Sequence, residues 1–286
     1  MKEQTIKKIV RLWWLLLAAP FALILFCTLI VAVFAKIPSF EELETPKTNL
    51  ATSLISAYGK ILSTYHIENR IFVTYEDLPQ SLIEATIATE DARFYKHSGI
   101  DMRGLARVAV KTLALRNSGA GGGSTITQQL AKTLFPRKTT KSKIPGAKYV
   151  NMVSIKLKEW IIAVKLERNY TKNEILTMYM NAVPFGSNAF GINAAARTFF
   201  NKKPADLTVE ESATLVGMIN KATRYNPAIN PDLSLGRRNL ILRRMKKYGY
   251  ITRHECDSLQ ALEIVLDYER QDHNAGLGPY FRDMRR

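Results

Sequence analysis

Residues 12 to 34 form an uninterrupted apolar run, LWWLLLAAPFALILFCTLIVAVF, that carries no charged side chain. A helix needs about 20 such residues to cross a hydrocarbon core of about 30 Å, so the run is long enough to span a membrane. It is longer than the apolar region of roughly 7–15 residues in a secretory signal peptide, and no clean cleavage site follows it. The sequence therefore predicts a transmembrane anchor over residues 12–35, with a cleaved signal peptide as the competing interpretation.

Charges on either side of this run indicate its orientation. Lys7, Lys8 and Arg11 precede it, whereas the acidic residues that follow begin at Glu41. Because positively charged flanks stay in the cytoplasm, residues 1–11 are predicted to form a cytoplasmic tail and the chain beyond the anchor to lie outside. We therefore expect a single-pass membrane protein with an exported domain.

The composition fits a folded exported domain. The chain has 286 residues, of which 47% are hydrophobic, and this content argues against disorder. Cys256 is the one cysteine outside the anchor, so we expect no intramolecular disulfide in the exported part. A net charge of +16 favours anionic lipid headgroups or phosphate-bearing substrates, and we expect no nucleic acid partner.

Residues 36–74 are predicted to be a linker or stem, and from Asp77 onward the pattern is helical. Within the stem, SLISAYGKILSTY and IFVTY fit short strands or linker, and their periodicity does not decide between the two. The first predicted helix runs from Pro79 to Glu90, a second begins after a cap at Ser124 or Thr125, and a third runs from about Tyr149 to Arg168. Two more begin at the capping boxes Thr171/Glu174 and Thr208/Glu211. The last predicted helix runs from about Asp232 to Tyr248 and ends before Gly249.

The first of these helices carries an apolar stripe that ends on a carboxylate. If the helix continued to residue 97, one face would hold, at spacings of three and four, Ile83, Ile87, Glu90, Phe94 and His97. Partial burial suits a carboxylate to exchange protons near neutral pH, which makes Glu90 a candidate acid or base. A solvated helix end is the plain alternative for Glu90, and His97 is expected to be a packed core histidine.

The next helix follows the glycine-rich segment GAGGG. Its residues Thr125, Gln129 and Lys132 form a polar stripe at spacings of four and three. A glycine loop that leads into the free N–H groups of a helix suits phosphate, and Lys132 would add a point charge. A nucleotide-binding P-loop is excluded, because it needs Gly-Lys-Ser/Thr where this loop has Gly-Ser-Thr.

A second carboxylate, Glu159, shares a helix face with Ile162, Ala163 and Leu166. Two inward carboxylates from different helices, with a phosphate-holding segment, suit sugar transfer from a diphosphate. One carboxylate would deprotonate the attacking hydroxyl, while other groups stabilise the charge of the leaving group.

Five segments resemble, in order, the signature blocks of glycosyltransferase family 51, the peptidoglycan glycosyltransferase domain of class A penicillin-binding proteins and monofunctional transglycosylases. The segments are ATEDARFYKHSGID, GGGSTITQQLAKTLF, KLKEWIIAVKLERNYTKNEILTMYMNAVPFG, AAARTFFNKKPADLTVEESATLVGMINKATRYNP and GRRNLILRRMKKYGYIT. The resemblance implies a mainly α, lysozyme-like domain over residues 75–255 with a smaller membrane-proximal lobe. It also implies polymerisation of lipid II into β-1,4-linked glycan with inversion and release of undecaprenyl diphosphate, at the bacterial cytoplasmic membrane.

The resemblance also implies roles for individual residues. Glu90 corresponds to the general base, and Glu159 to a second essential carboxylate that helps the diphosphate leave. The substrate-binding positions are Ser124, Thr125, Gln129, Lys132 and Lys156, and the supporting positions are Asp91, Phe94, His97 and Asn181.

One position departs from the family pattern. Many members carry an arginine four residues before the second glutamate, where this chain has Ile155. Lys156 or Lys158 would have to substitute, without the bidentate geometry of an arginine. The resemblance also implies a divalent cation, Mg²⁺ or Mn²⁺, with the substrate diphosphate near Glu159, and no tightly bound cofactor.

Two rival functions stay open at this stage. A lysozyme-type glycan hydrolase also depends on a catalytic glutamate, and a non-catalytic membrane-anchored cell-wall scaffold needs none. Residues 256–286 resemble the start of the linker to a transpeptidase domain, yet the sequence lacks Ser-x-x-Lys, Lys-Thr-Gly and Lys-Ser-Gly. We therefore expect no transpeptidase activity in this chain. The expected partners are lipid II, the growing lipid-linked glycan, membrane lipids and a separate transpeptidase.

Overall fold

The structure is a computed structural model. It describes residues 72–114, 123–135 and 147–269, two strands between residues 52 and 65, and scattered positions between residues 4 and 19. Among these described residues, none of the helices combines the length and the apolarity that a membrane crossing requires. Most of the predicted anchor lies outside the described residues, as does most of the basic loop between residues 136 and 148.

The described chain is mainly helical, as the sequence predicts. The helices are α1 (Gln80–Glu90), α2 (Met102–Ala114), α3 (Ile126–Leu134), α4 (Ala147–Asn169), α5 (Lys172–Ala182), α6 (Ile192–Phe200), α7 (Val209–Ile219), α8 (Pro231–Lys247) and α9 (Arg253–Ala261). Two antiparallel strand pairs accompany them: β1 (Thr52–Ile55) with β2 (Ile61–Tyr65), and β3 (Pro184–Gly186) with β4 (Ala189–Phe190).

Local capping signals were accurate guides to the helix ends. The boxes at Thr171 and Thr208 are confirmed, since each threonine accepts from the N–H three residues on and each glutamate accepts from the threonine N–H. Gly249 follows α8 with φ of 81°, which confirms the left-handed cap.

The prediction that α8 is the last helix is wrong. Helix α9 follows it and opens with a third capping box, Thr252 with Glu255, which carries the same Thr-x-x-Glu signature as the other two. The predicted domain boundary after residue 255 falls inside α9, next to the fully buried Cys256. The chain after α9 then returns to α6, where the Asp267 N–H donates to the Phe199 carbonyl at 3.2 Å.

The predicted continuous stripe from Ile83 to His97 is also wrong beyond Glu90. Helix α1 ends there, because Asp91 has non-helical backbone angles, with φ of −156° and ψ of 77°, and residues 94–96 form a separate 3₁₀ turn. Phe94 is nevertheless fully buried, since the turn folds back on the core rather than extending the helix.

The core positions two helix ends side by side. Helix α1 packs against α7 and α8, while α3 packs against α4 and α5. The carboxylate of Asp91, directly after α1, accepts from the Ile126 N–H at the first turn of α3 at 3.1 Å. The C-terminus of α1 and the N-terminus of α3 therefore meet at one edge of the core.

The end of the stem is attached to this core by a side chain. Asn181 of α5 accepts from the Val73 N–H at 3.0 Å and donates to the Val73 carbonyl at 2.9 Å, so it pairs with the backbone as a neighbouring strand would. The strand interpretation of IFVTY is wrong for its described residues, 72–75, which have no regular structure. The SLISAYGKILSTY segment does contain the paired strands β1 and β2.

We expect Asn181→Ala to lower the free energy of unfolding by about 2–3 kcal/mol, because it leaves two buried backbone groups unpaired. Urea unfolding in detergent measures the change. Asn169→Ala is the matched control, since the Asn169 amide donates to the Lys165 carbonyl in an exposed position, and we expect a change within about 0.5 kcal/mol there. Equal losses in the two variants would contradict the role of Asn181.

Candidate active site

A cleft of about 410 Å³ opens where the ends of α1, α3 and α8 converge. Its walls are residues 88–93, Asp101, Gly104, Arg107, residues 123–125, Arg244, Lys247 and Tyr248. Of the predicted site residues, the cleft lining includes Glu90, Asp91, Ser124 and Thr125.

Glu90 and Asp91 are adjacent in sequence but differ in their environments. Asp91 is 7% exposed, and its carboxylate accepts from His97 Nε2, which lies 2.9 and 3.1 Å from its two oxygens, and from the Ile126 N–H. These hydrogen bonds engage the Asp91 carboxylate within the protein. The N-terminal turn of α3 also stabilises its negative charge. Glu90 is only partly buried at the end of α1 and faces the cleft.

One carboxylate oxygen of Glu90 accepts a hydrogen bond from a side chain outside the cleft lining. Gln129 Nε2 of α3 donates to Glu90 Oε2 at 2.9 Å, and the Tyr179 hydroxyl of α5 donates to Gln129 Oε1 at 3.0 Å. Burial, followed by the charge of Glu90, raises the pKa of Tyr179 well above its usual value, so its hydroxyl stays protonated. Gln129 was predicted to contact substrate, and in this structure it contacts Glu90.

The start of α3 is fixed by Thr125. Its hydroxyl accepts from the Gln128 N–H at 3.2 Å as the helix cap and donates to the Gly99 carbonyl at 2.7 Å. Gly99 has φ of 88°, and a Cβ there would lie 3.0 Å from the Ala163 backbone, so the position requires glycine. The Thr125 hydroxyl is therefore engaged within the protein.

The predicted stripe of Thr125, Gln129 and Lys132 does not face one target. Thr125 is buried at the cap, Gln129 contacts Glu90, and Lys132 is exposed, outside the cleft lining. Positions seven apart lie on nearly the same side of a helix, but the cleft lining includes only residues 123–125, which precede α3, and none of the residues Ile126–Leu134.

Glu159 reaches the cleft through a lysine. Its side chain is 6% exposed, and Oε2 accepts from Lys156 Nζ at 2.8 Å in an ion pair. Lys156 Nζ also donates to the Ser124 hydroxyl at 2.9 Å, and Ser124 lines the cleft. Lys156, the neighbour of Ile155, thus places its charge between Glu159 of α4 and Ser124 of the cleft.

The donors around Glu159 do not suit a metal ion held by protein side chains alone. Within the described part of the chain, no group of three or more His, Cys, Asp or Glu side chains is arranged to hold one. The Lys156 ammonium, already paired with Glu159, would repel a second cation. The divalent cation that the family resemblance implies near Glu159, held together with the substrate diphosphate, stays a prediction.

Sequence reasoning missed the basic residues that α8 brings to the cleft. Arg244 Nη1 donates to the Thr89 carbonyl at 2.7 Å, next to Glu90, and Lys247 lines the same wall. Arg237 lies one heptad before Arg244 on the same helix face. Burial lowers the pKa of its guanidinium, and the nearby charge of Glu90 offsets only part of that effect. The spacing of seven residues between Arg237 and Arg244 could have indicated from the sequence that both lie on one face of the helix.

The loop between α1 and α2 is anchored by a partly buried ion pair. Lys172 Nζ lies 2.7 Å from Glu167 and donates to the His97 carbonyl, also at 2.7 Å. The same ammonium lies 4.4 Å from the centroid of the Phe94 ring, a cation–π contact. Phe94 and His97 thus support the loop from below rather than facing the cleft.

Comparisons with known proteins agree on one family. A family model described as Transglycosylase matches residues 58–246. Penicillin-binding protein 1A of Aquifex aeolicus is 34% identical over 260 residues, covering 89% of this chain and 33% of the relative. Penicillin-binding protein 1A of Escherichia coli is 35% identical over 252 residues (87% and 28%), and penicillin-binding protein 1A/1B of Bacillus subtilis is 39% identical over 230 residues (79% and 24%).

A solved structure is also similar. The crystal structure of penicillin-binding protein 1A from Haemophilus influenzae aligns with a TM-score of 0.43 at 22% identity, covering 78% of this chain and 22% of that one. The chain spans a third or less of the length of these relatives. Since the family model matches well over half of its residues, the chain belongs to the transglycosylase family, whose domain in class A penicillin-binding proteins is a peptidoglycan glycosyltransferase.

Proposed function

We propose that this chain polymerises lipid II, with the 4-hydroxyl of an acceptor sugar attacking C1 of the lipid-linked donor. Glu90 takes the hydroxyl proton, the O4–C1 bond forms, and the bond from C1 to the diphosphate oxygen breaks, with its electron pair leaving on undecaprenyl diphosphate. The attack inverts the α-linked donor to a β-1,4 linkage. The observation that carries the proposal is a carboxylate, Glu90, that faces a cleft walled by arginine and lysine.

Basic side chains would stabilise the departing diphosphate. Arg107, Arg244 and Lys247 line the same cleft as Glu90, and Lys156 Nζ lies 2.9 Å from Ser124 at its rim. Fixed positive groups stabilise the charge that develops on a departing diphosphate. Glu159 would act through Lys156, by holding that ammonium toward Ser124.

The membrane assignment belongs to the same proposal. A lipid-linked substrate requires the cleft to work at the membrane surface, and the apolar run at residues 12–34 would keep it there. We propose a single-pass anchor with the catalytic domain outside, a lysozyme-like fold with a membrane-proximal lobe, and a transpeptidase as the partner that cross-links the product.

We expect Glu90→Gln to lower the rate of glycan polymerisation by about 10²–10⁴-fold, because the amide keeps the shape of the side chain but cannot accept the proton. The assay follows labelled lipid II into polymer. Glu84→Gln on the same helix is the matched control, since Glu84 pairs with Gln80 in an exposed position. A Glu90→Gln enzyme that polymerises near the wild-type rate would remove Glu90 from the mechanism, and cleavage of preformed glycan by the wild type would favour the hydrolase.

We expect Lys132→Ala to raise the KM for lipid II with a smaller effect on kcat, because an exposed lysine on α3 would attract the diphosphate without contacting the reacting atoms. The effect should shrink as salt screens the charge. Lys221→Ala, an exposed lysine in the loop after α7, is the control. An unchanged KM at low salt would exclude Lys132 from donor binding.

Removal of residues 1–35 should slow polymerisation in lipid vesicles more than in detergent micelles, because the anchor concentrates the enzyme at the surface that carries its substrate. Rates of the full-length and shortened proteins in the two media give the comparison. Equal losses in vesicles and micelles would indicate that residues 1–35 support the fold instead.

A further inference from the structure

Tyr179 is connected to Glu90 although it does not line the cleft. Three helices contribute one side chain each to a chain of hydrogen bonds: Tyr179 of α5 donates to Gln129 of α3 at 3.0 Å, and Gln129 donates to Glu90 of α1 at 2.9 Å. Tyr179 is 1% exposed, so its ring is held by the core.

The direction of these hydrogen bonds follows from the chemistry of the end groups. An ionised carboxylate only accepts, so the Gln129 amide must turn its NH₂ group toward Glu90 and its oxygen toward Tyr179. Tyr179 must then donate. Its raised pKa, caused by burial and by the nearby charge of Glu90, keeps the hydroxyl proton in place for that purpose.

We propose that Tyr179 is a positioning residue for Glu90, which it acts on through Gln129 by fixing the orientation of the Gln129 amide. This proposal rests on the proposed role of Glu90 as general base. Without the hydroxyl, the Gln129 oxygen loses its donor, so the amide is held only by its hydrogen bond to Glu90 and can turn away from Oε2. With the hydroxyl, Glu90 Oε2 is held and Oε1 is left to face the cleft and receive the proton.

This arrangement predicts where the kinetic effect appears. Tyr179 and Gln129 are outside the cleft lining, so their loss should leave substrate binding unchanged and reduce the chemical step. A donated hydrogen bond favours the charged form of a carboxylate, so its loss should move the acid limb of the pH–rate profile to higher pH. The charged groups that line the cleft together with Glu90 remain in place: Asp91, Arg93, Asp101, Arg107, Arg244 and Lys247, with Arg237 near enough to interact with the charge of Glu90.

The test is Tyr179→Phe in the full-length protein with lipid II as substrate. We expect kcat to fall by about tenfold, the loss typical of one buried hydrogen bond of about 1.4 kcal/mol, with KM unchanged within about twofold and the acid limb displaced upward. Tyr268→Phe is the matched control, because it removes a hydroxyl that bonds to Ser187 between β3 and β4, and it should keep wild-type kinetics.

A double-mutant cycle separates positioning from structural support. If Tyr179 acts through Gln129, Tyr179→Phe added to Gln129→Met should cause no further loss of kcat. Multiplied losses, a changed KM, or a Tyr179→Phe enzyme with wild-type kcat and pH profile would each overturn the proposal. If Tyr179→Phe fails to fold, Gln129→Met alone must lower kcat and displace the acid limb, and a wild-type profile overturns the proposal.

A failure of the positioning role can be distinguished from a failure of the proposed function. If the Glu90→Gln enzyme is active, Glu90 is not the general base, and Tyr179 then has no general base to position. An inactive Glu90→Gln enzyme together with a normal Tyr179→Phe enzyme would overturn only the positioning role.

Discussion

The site depends on one carboxylate that joins two helix ends. Asp91 accepts from His97 and from the first backbone N–H of α3, and in doing so it turns the chain out of α1 directly after Glu90. An uninterrupted helix would carry the next residues away from α3. Because the turn occurs at this point, Glu90 is the last side chain of α1 and comes to lie beside the N-terminus of α3, where the cleft forms.

A second set of polar contacts holds the loop that Asp91 begins. Glu167 accepts from Thr127 of α3 at 2.6 Å and pairs with Lys172, which in turn donates to the carbonyl of His97. An ion pair that loses part of its hydration gains little net stability over apolar packing. Its contribution here is geometric, because the contacts of Glu167 and Lys172 connect α3, α4 and α5 to the loop.

The two candidate carboxylates, Glu90 and Glu159, have different hydrogen-bond partners. Glu90 accepts a hydrogen bond from the neutral amide of Gln129 and lines the cleft. Glu159 is nearly buried and forms an ion pair of 2.8 Å with the ammonium of Lys156. The proposed mechanism accordingly gives proton transfer to Glu90 and electrostatic support to Glu159, which are the roles that the family resemblance implies for them.

Sequence patterns predicted the contacts that are local and missed those that are distant. Each capping box closes over three residues, so Thr171 and Thr208 could be recognised from four letters, and Thr252 could have been. By contrast, Gln129 bonds to Glu90 across 39 positions, Tyr179 to Gln129 across 50, and Arg244 to Thr89 across 155. No periodicity within one helix contains such partners, since they depend on which helix ends the core brings together. The end of α1 at Glu90 belongs to this second class, because the Asp91 carboxylate turns the chain only if α3 is already there to donate to it.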